Sequence, residues 1–119
     1  MCAEPETLQR RSYECEKVPE EFVYVRAWKV NSRGKMIAIC DCNVIGKKVC
    51  EGKLVLDICR EFYQGERMTL EAAIDVVKTA TIANFVGKDA VRCGIEAGLV
   101  HKDAIINIGG IPHAQFVQI

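Results

Sequence analysis

The stretch IGGIPHAQ, residues 108–115, carries the side chains of this 119-residue chain that are best suited to chemistry. His113 and Gln115 are two residues apart, so in an extended segment their side chains point to the same face. Histidine is the usual acid–base group near neutral pH. With Tyr63 and Asn84, these two residues form a candidate polar pocket. The sequence places no carboxylate or cysteine beside His113, so no catalytic residue is assigned. The alternative is that His113 caps a carbonyl where a strand begins.

A second set of candidates is basic. Residues 22–60 carry eight Lys and Arg against three Asp and Glu, whereas residues 1–21 and 61–119 are both acidic on balance. This dipolar layout permits an anionic partner such as RNA. The alternative is a solvated strand face beside a self-shielding acidic tail. The candidate binding residues are Arg26, Lys29, Lys35, Lys47 and Lys48.

The turn at Gly46-Lys47-Lys48 is the most specific part of this basic set. Successive backbone N–H groups and two ammonium groups could together bind a phosphate. The turn is not a P-loop, because the upstream glycine of that motif is absent. An exposed basic loop is the simpler interpretation.

The seven cysteines do not predict a disulfide framework, because their number is odd and no export signal is visible. Cys40, Cys42, Cys50 and Cys59 could form a zinc set, but their spacing lacks the paired knuckles of structural zinc sites. Small buried apolar side chains are the better interpretation. No metal and no cofactor are predicted, and Walker, Rossmann and nucleophile-elbow motifs are absent.

Length and composition predict one globular domain. Residues 1–21 are poor in apolar side chains and are expected to form an N-terminal extension, flexible and outside the core, whereas residues 22–119 form the domain. No apolar run is long enough to cross a membrane, and no apolar signal segment precedes the domain. A cytoplasmic location is therefore expected.

The elements that must position these residues follow from the patterning. A hairpin at 22–30 and 35–41 and a strand at 54–58 come first. Helices are predicted at 70–87, with Thr69 as N-cap and Gly87 as C′ residue, and at 88–100. Strands at 104–108 and at the C-terminus complete the order β-β-β-α-α-β-β. This order predicts an α+β fold, with two helices on one face of a mainly antiparallel sheet.

Several short blocks occur in a fixed order: AICD, IGKK, EFYQGE, ATIANFVG, IEAGLV and IGGIPHAQ. This ordered set resembles the small archaeal family catalogued as domain of unknown function 424, over roughly residues 22–119. The resemblance implies an archaeal, cytoplasmic α+β protein and favours a link to translation or RNA metabolism. It carries over no catalytic residues, and most of the cysteines lie outside its blocks.

Three hypotheses follow. The first is a non-enzymatic module that binds RNA or a ribonucleoprotein through the basic residues. The second is a small-molecule-binding protein or enzyme with its site around His113. The third is an oligomerisation scaffold, in which the terminal strand lies at a sheet edge and pairs with another chain.

Overall fold

A computed structural model describes residues 22–31 and 34–118. The predicted N-terminal extension, residues 1–21, lies outside the described residues. In chain order the strands and helices are β1 (Phe22–Lys29), β2 (Lys35–Asp41), β3 (Lys48–Glu51), β4 (Leu54–Asp57), α1 (Arg60–Tyr63), β5 (Glu66–Thr69), α2 (Leu70–Val77), β6 (Ile82–Val86), α3 (Lys88–Glu96), β7 (Ile106–Ile108) and β8 (Ile111–Val117). Short 3-10 turns lie at Cys42–Val44 and Lys102–Ala104.

Among the described residues, six strands form one sheet in the order β5-β1-β2-β6-β8-β7, and β3 and β4 form a separate two-stranded sheet. Every pair of neighbouring strands is antiparallel except β2 and β6, which run parallel. The α+β class with a mainly antiparallel sheet is therefore confirmed.

One face of the six-stranded sheet packs against α2 and α3 and forms the main core. Because strand side chains alternate between faces, Val23 and Val25 of β1 and Ile37 and Ile39 of β2 all point to this side. Phe85 of β6 is completely buried beneath α3 in the same cluster. Among the described residues, no helix is long and apolar enough to cross a membrane.

The described residues cover the opposite face of the sheet only in part. The segment after β2, the β3–β4 hairpin and α1 pack over it and bury a second cluster that includes Cys40, Ile58, Tyr63 and Val86. The cover lies over one end of the central strands. The other end of the same face is left more open.

The predicted order β-β-β-α-α-β-β matches the structure only loosely. The predicted helix 70–87 ends at Val77, and Ile82–Val86 within it is a strand at the centre of the sheet. The sequence analysis also missed β3, α1 and β5. Thr69 is confirmed as an N-cap, since its hydroxyl accepts a hydrogen bond from the Ala72 amide at 3.2 Å.

Two threonines explain why α2 ends early. The Thr79 hydroxyl donates to the Val76 carbonyl at 2.7 Å and so satisfies a carbonyl of the last helical turn. Thr81 then joins β2: its amide donates to the Lys35 carbonyl at 2.9 Å, and its hydroxyl accepts from the Lys35 amide at 3.0 Å. The chain is therefore already paired as a strand when it reaches Ile82.

Gly87 precedes α3 as its N-cap and does not end a preceding helix. Its φ of 103° and ψ of 159° fall in a region that is essentially restricted to glycine. The buried carboxylate of Asp41, at the end of β2, accepts hydrogen bonds from the amides of Ala90 at 2.8 Å and Asp89 at 3.2 Å. Asp41 therefore fixes the start of α3 against the sheet. Burial raises the pKa of this carboxyl above its usual value.

Candidate functional site

Three cross-strand rows of side chains define the partly covered face. The first row crosses β1, β2, β6 and β8 and consists of Trp28, Met36, Ile82 and Val117. The next consists of Arg26, Ala38, Asn84 and Gln115, and the third of Tyr24, Cys40, Val86 and His113. Cys40, Val86 and Ala38 are fully buried under the second cluster, whereas Val117 is 60% exposed. The face therefore opens toward the first row, and we call Met36, Ile82, Val117, Asn84 and Gln115 the open sheet surface.

Two carboxamides contact each other in the middle of this surface. Asn84 on β6 lies opposite Gln115 on β8, and the Gln115 Nε2 donates to Asn84 Oδ1 at 2.8 Å. The Asn84 Nδ2 points toward the Met36 sulfur at 3.9 Å, a weak acceptor. The sequence analysis placed Asn84 near a helix end. The structure places it on a central strand, where it meets Gln115 directly.

His113 is on the same face and the same strand as Gln115, as their spacing predicts. Its Nδ1 lies 3.0 Å from the Phe85 carbonyl of β6. Among the described residues, the His113 side chain forms no hydrogen bond with a carboxylate or a nucleophile.

Tyr63 is the last residue of α1, and its side chain is buried in the second cluster. This burial raises its pKa to about 12. Of the four predicted pocket residues, the structure thus brings Asn84 and Gln115 into contact, places His113 one row away on their face, and buries Tyr63.

An aromatic stack stands beside the open sheet surface on the β1 side. The Trp28 and Phe62 rings are 5.8 Å apart between centroids and nearly parallel, and the indole N–H donates to the Phe62 carbonyl at 3.1 Å. The Arg26 guanidinium lies 4.5 Å from the centre of the Trp28 ring. Trp28 therefore packs within the fold and also holds an arginine in place.

Two arginines are held at opposite ends of Gln64. Arg26 Nη1 donates to the Gln64 backbone carbonyl at 3.5 Å, and Arg60 Nη1 donates to its side-chain Oε1 at 3.3 Å. Within the described part of the chain, neither guanidinium forms an ion pair with a carboxylate. Both positive charges therefore remain available to an anion.

The Gly46 turn continues this basic region. A Cβ built on Gly46 would lie 3.3 Å from Arg60 Nη2, so the turn passes close to the guanidinium. Two backbone N–H groups of the turn are already hydrogen-bonded within the protein. The Gly46 amide donates to the Ile58 carbonyl at 2.7 Å, and the Lys47 amide donates to the Val44 carbonyl at 3.1 Å. The amides of Gly46 and Lys47 therefore contribute no donors to a phosphate cradle, and the side chains of Lys47 and Lys48 are the groups of this turn that we consider for anion binding. We call Arg26, Arg60, Lys47 and Lys48 the basic cluster.

Lys29 and Lys35 lie elsewhere. They are register partners on β1 and β2 and point to the helix-covered side of the sheet, opposite to Arg26. The Lys35 ammonium donates to the Thr79 hydroxyl at 3.2 Å, near the end of α2. The five predicted basic residues are therefore divided between the two sides of the sheet.

The cysteines within the described range are free thiols. Cys40 and Cys93 are buried, and burial raises the pKa of each thiol to about 12. In the same range, no group of three or more histidine, cysteine or acidic side chains has a geometry that could hold a metal ion. Cys40 and Cys93 serve as small core side chains.

The terminal strand is not the outermost strand of the sheet. β8 lies between β6 and β7, and β7 pairs only with Ile111–His113. The premise of the scaffold hypothesis, which placed the last strand at an edge, therefore holds for only part of β8 among the described residues. Only the second half of β8 lacks a strand on its outer side in the described structure.

Sequence reasoning missed Arg60 as a site residue. Its position depends on α1, which was not predicted and which spaces Arg60 and Gln64 by four residues, as neighbours on one helical face. The REFYQG segment, with its arginine, aromatic pair and glycine, is the sequence signal that marks it. The open sheet surface was equally hidden, because it depends on recognising β6 as a strand.

These features define the class: a small α+β sheet protein with an open surface flanked by arginines. Within that class, the chain belongs to the family described as "Protein of unknown function (DUF424)", whose model matches residues 28–119. The resemblance predicted from the ordered blocks is thus confirmed. No curated protein matches the chain.

A similar solved structure is the "Crystal structure of an uncharacterized conserved protein from Methanopyrus kandleri", an archaeon. It has a TM-score of 0.71 and 24% sequence identity, and the match covers 82% of this chain and 94% of that chain. This likeness shows a shared fold.

Proposed function

We propose that this protein is a non-enzymatic module that binds RNA, with the basic cluster contacting phosphate groups. The observation that carries the proposal is that the guanidinium groups of Arg26 and Arg60 are both hydrogen-bonded to Gln64. Neither group has a carboxylate partner among the described residues. One guanidinium contacts the backbone carbonyl of Gln64 and the other its side chain, so an anion beside Gln64 would be attracted by both charges.

The geometry of the two arginines favours phosphate over a point anion. A guanidinium is planar and can donate two parallel hydrogen bonds to a phosphate, and it remains charged at any physiological pH. Arg26 is further held by the Trp28 ring, so less side-chain freedom is lost when it binds. Lys47 and Lys48 follow directly after the turn that passes Arg60, and they add two positive charges to this segment, with Asp57 opposite Lys48 on β4.

A polyanion suits this cluster better than a single small anion, because the positive groups are distributed over α1, β1 and the Gly46 turn. RNA is favoured over other polyanions because the open sheet surface beside the arginines can accommodate bases as well as phosphates. The same cluster would contact the RNA component of a ribonucleoprotein.

The proposal is tested by fluorescence anisotropy with a labelled single-stranded RNA of mixed sequence. For three to four phosphate contacts, the affinity should fall about 20- to 50-fold between about 50 and 200 mM salt. Absence of binding at the lower salt concentration, or an affinity that does not change with salt, would overturn it.

A second experiment separates RNA from a protein partner. The protein is purified from its native cell with and without nuclease. RNA that co-purifies, and is lost after nuclease treatment, supports the proposal. Proteins that remain bound after nuclease treatment, with no RNA in the untreated sample, contradict it.

A further inference from the structure

We infer that the open sheet surface seats unpaired bases of a single-stranded RNA, and that the Asn84–Gln115 amide pair contacts base edges. This inference rests on the RNA binding proposed above and adds the class of RNA and the residues that read it. Phosphates at the basic cluster and bases on the adjacent sheet surface would occupy one continuous path.

The position of the amides supports this assignment. They lie on the adjacent strands β6 and β8, next to the apolar side chains of Met36, Ile82 and Val117 on the same face. A nucleobase also combines an apolar ring face with hydrogen-bonding edges. The apolar side chains therefore suit the ring face, and the amides suit the edges.

The hydrogen-bonding capacity of the amides supports it further. One N–H of Gln115 is used by Asn84, but Gln115 Oε1 accepts no hydrogen bond from any described residue. A carboxamide oxygen and the remaining N–H groups can together pair with the donor and acceptor atoms of a base edge, as Asn and Gln do with adenine.

The groups that border the open sheet surface indicate the path of the RNA backbone. The Trp28–Phe62 stack and Arg26 border the surface on the β1 side, so phosphates on that side would meet a cation. A cleft of about 580 Å³ opens at the far end of the apolar row and shares Ile82 and Val117 with it.

The test compares the wild-type protein with the double variant Asn84→Ala/Gln115→Ala. The matched control is Asn43→Ala/Asn107→Ala, which removes two exposed amides elsewhere. Each protein is titrated with four single-stranded homopolymers and with an RNA duplex, after thermal melts show that the variants fold. Trp28 is the only tryptophan of the chain, so its fluorescence reports ligand near the surface directly.

We expect the wild type to prefer one homopolymer and to show a change in Trp28 fluorescence with single-stranded RNA. The Asn84→Ala/Gln115→Ala variant should lose this preference and bind its favoured homopolymer about tenfold more weakly, with an unchanged salt dependence. Its binding to the duplex, and all binding by the control, should stay as in the wild type.

The two proposals fail in different ways. If the wild type binds single-stranded RNA with the expected salt dependence but the Asn84→Ala/Gln115→Ala variant binds equally well with the same preference, the inference about the sheet surface is overturned and the basic cluster stands. If the wild type binds no RNA at low salt, the proposed function fails and the inference fails with it.

Discussion

At the scale of single residues, Gly87 occupies a position that no other residue type fits. Its backbone lies in a glycine-only region, and a Cβ there would lie 2.6 Å from both carboxylate oxygens of Asp41. The same contact brings the Asp41 carboxylate to the first amides of α3. The glycine that the sequence suggested as the end of a helix is therefore the joint between β6 and α3.

Replacing Gly87 by alanine is expected to destabilise the protein by about 3 kcal/mol or more, because backbone strain and the clash with a buried carboxylate add. Gly98→Ala is the matched control. That residue also has a positive φ of 80°, but a Cβ there would meet nothing within 4 Å, so a loss of about 1–2 kcal/mol is expected from strain alone. Urea unfolding measures both variants, and equal losses would contradict the role given to the Asp41 contact.

Tyr63 makes stability depend on pH in the alkaline range. Its pKa is about 12 in the folded protein against an ordinary value of 10.0, because burial disfavours the phenolate. Between these values the folded chain keeps a proton that the unfolded chain releases. The stabilisation is therefore complete below pH 10 and is lost as the pH rises toward 12.

Tyr63→Phe removes this titration. Chemical denaturation across that pH range should show a steeper fall in the free energy of unfolding for the wild type than for the variant. The buried thiol of Cys93 titrates in both proteins and cancels in the comparison, whereas Cys40 interacts electrostatically with Tyr63 and contributes to the difference in slope. Identical pH slopes for the two proteins would show that Tyr63 is not buried as described.

At the scale of elements, α3 approaches the sheet closely because Gly94 faces it. A Cβ on Gly94 would lie 2.7 Å from Val100 Cγ2 and 3.0 Å from Phe85 Cζ. Alanine is the better helix former by about 1 kcal/mol, so at an unconstrained position the substitution would stabilise the protein. Here overpacking costs about 1–3 kcal/mol and should outweigh that gain.

Gly94→Ala is therefore expected to lower the free energy of unfolding, as measured by denaturant titration. The double variant Gly94→Ala/Val100→Ala tests the cause, since it removes the closest contacting methyl group. Its loss should be smaller than the sum of the two single losses. Additive losses, or a Gly94→Ala variant more stable than the wild type, would contradict the close packing of α3.

Local patterns predicted the elements whose signals are contained in a few residues. The β1–β2 hairpin has β-branched strands around a turn, and the Thr69 cap precedes an apolar helical run, so both were found. β6 was missed because TIANFV continues the apolar run of α2, and its strand state depends on pairing with β2 and β8. Tertiary context, which the sequence pattern does not contain, decided between helix and strand there.

The candidate site also combines features that local spacing predicted with features that depend on tertiary structure. Spacing along a strand correctly placed His113 and Gln115 on one face, because alternation is a local property. Asn84 and Gln115, which contact each other, are separated by 31 positions in the sequence. Arg26 and Arg60, which both contact Gln64, are separated by 34 positions. These contacts depend on the order of the strands in the sheet and on the presence of α1, and neither was predicted.

At the scale of the whole molecule, the sheet separates two environments. The helix-covered face forms the main core, and the other face combines a covered end with an open end beside the basic cluster. Positive charge on this second face is what the proposed function requires. Charge elsewhere on the molecule should matter much less, because screening at physiological salt limits its reach to about 8 Å.

The measurement that tests the central claim most directly compares Arg60→Glu with Lys78→Glu in single-stranded RNA binding across a salt series. Both residues are exposed and both substitutions change the net charge equally, but Lys78 ends α2 on the opposite side of the sheet. We predict that Arg60→Glu weakens binding about tenfold and lowers the salt slope by about 0.7 or more, whereas Lys78→Glu leaves both close to the wild type. Equal effects of the two substitutions, or none from Arg60→Glu, would contradict the basic cluster as the RNA-binding site.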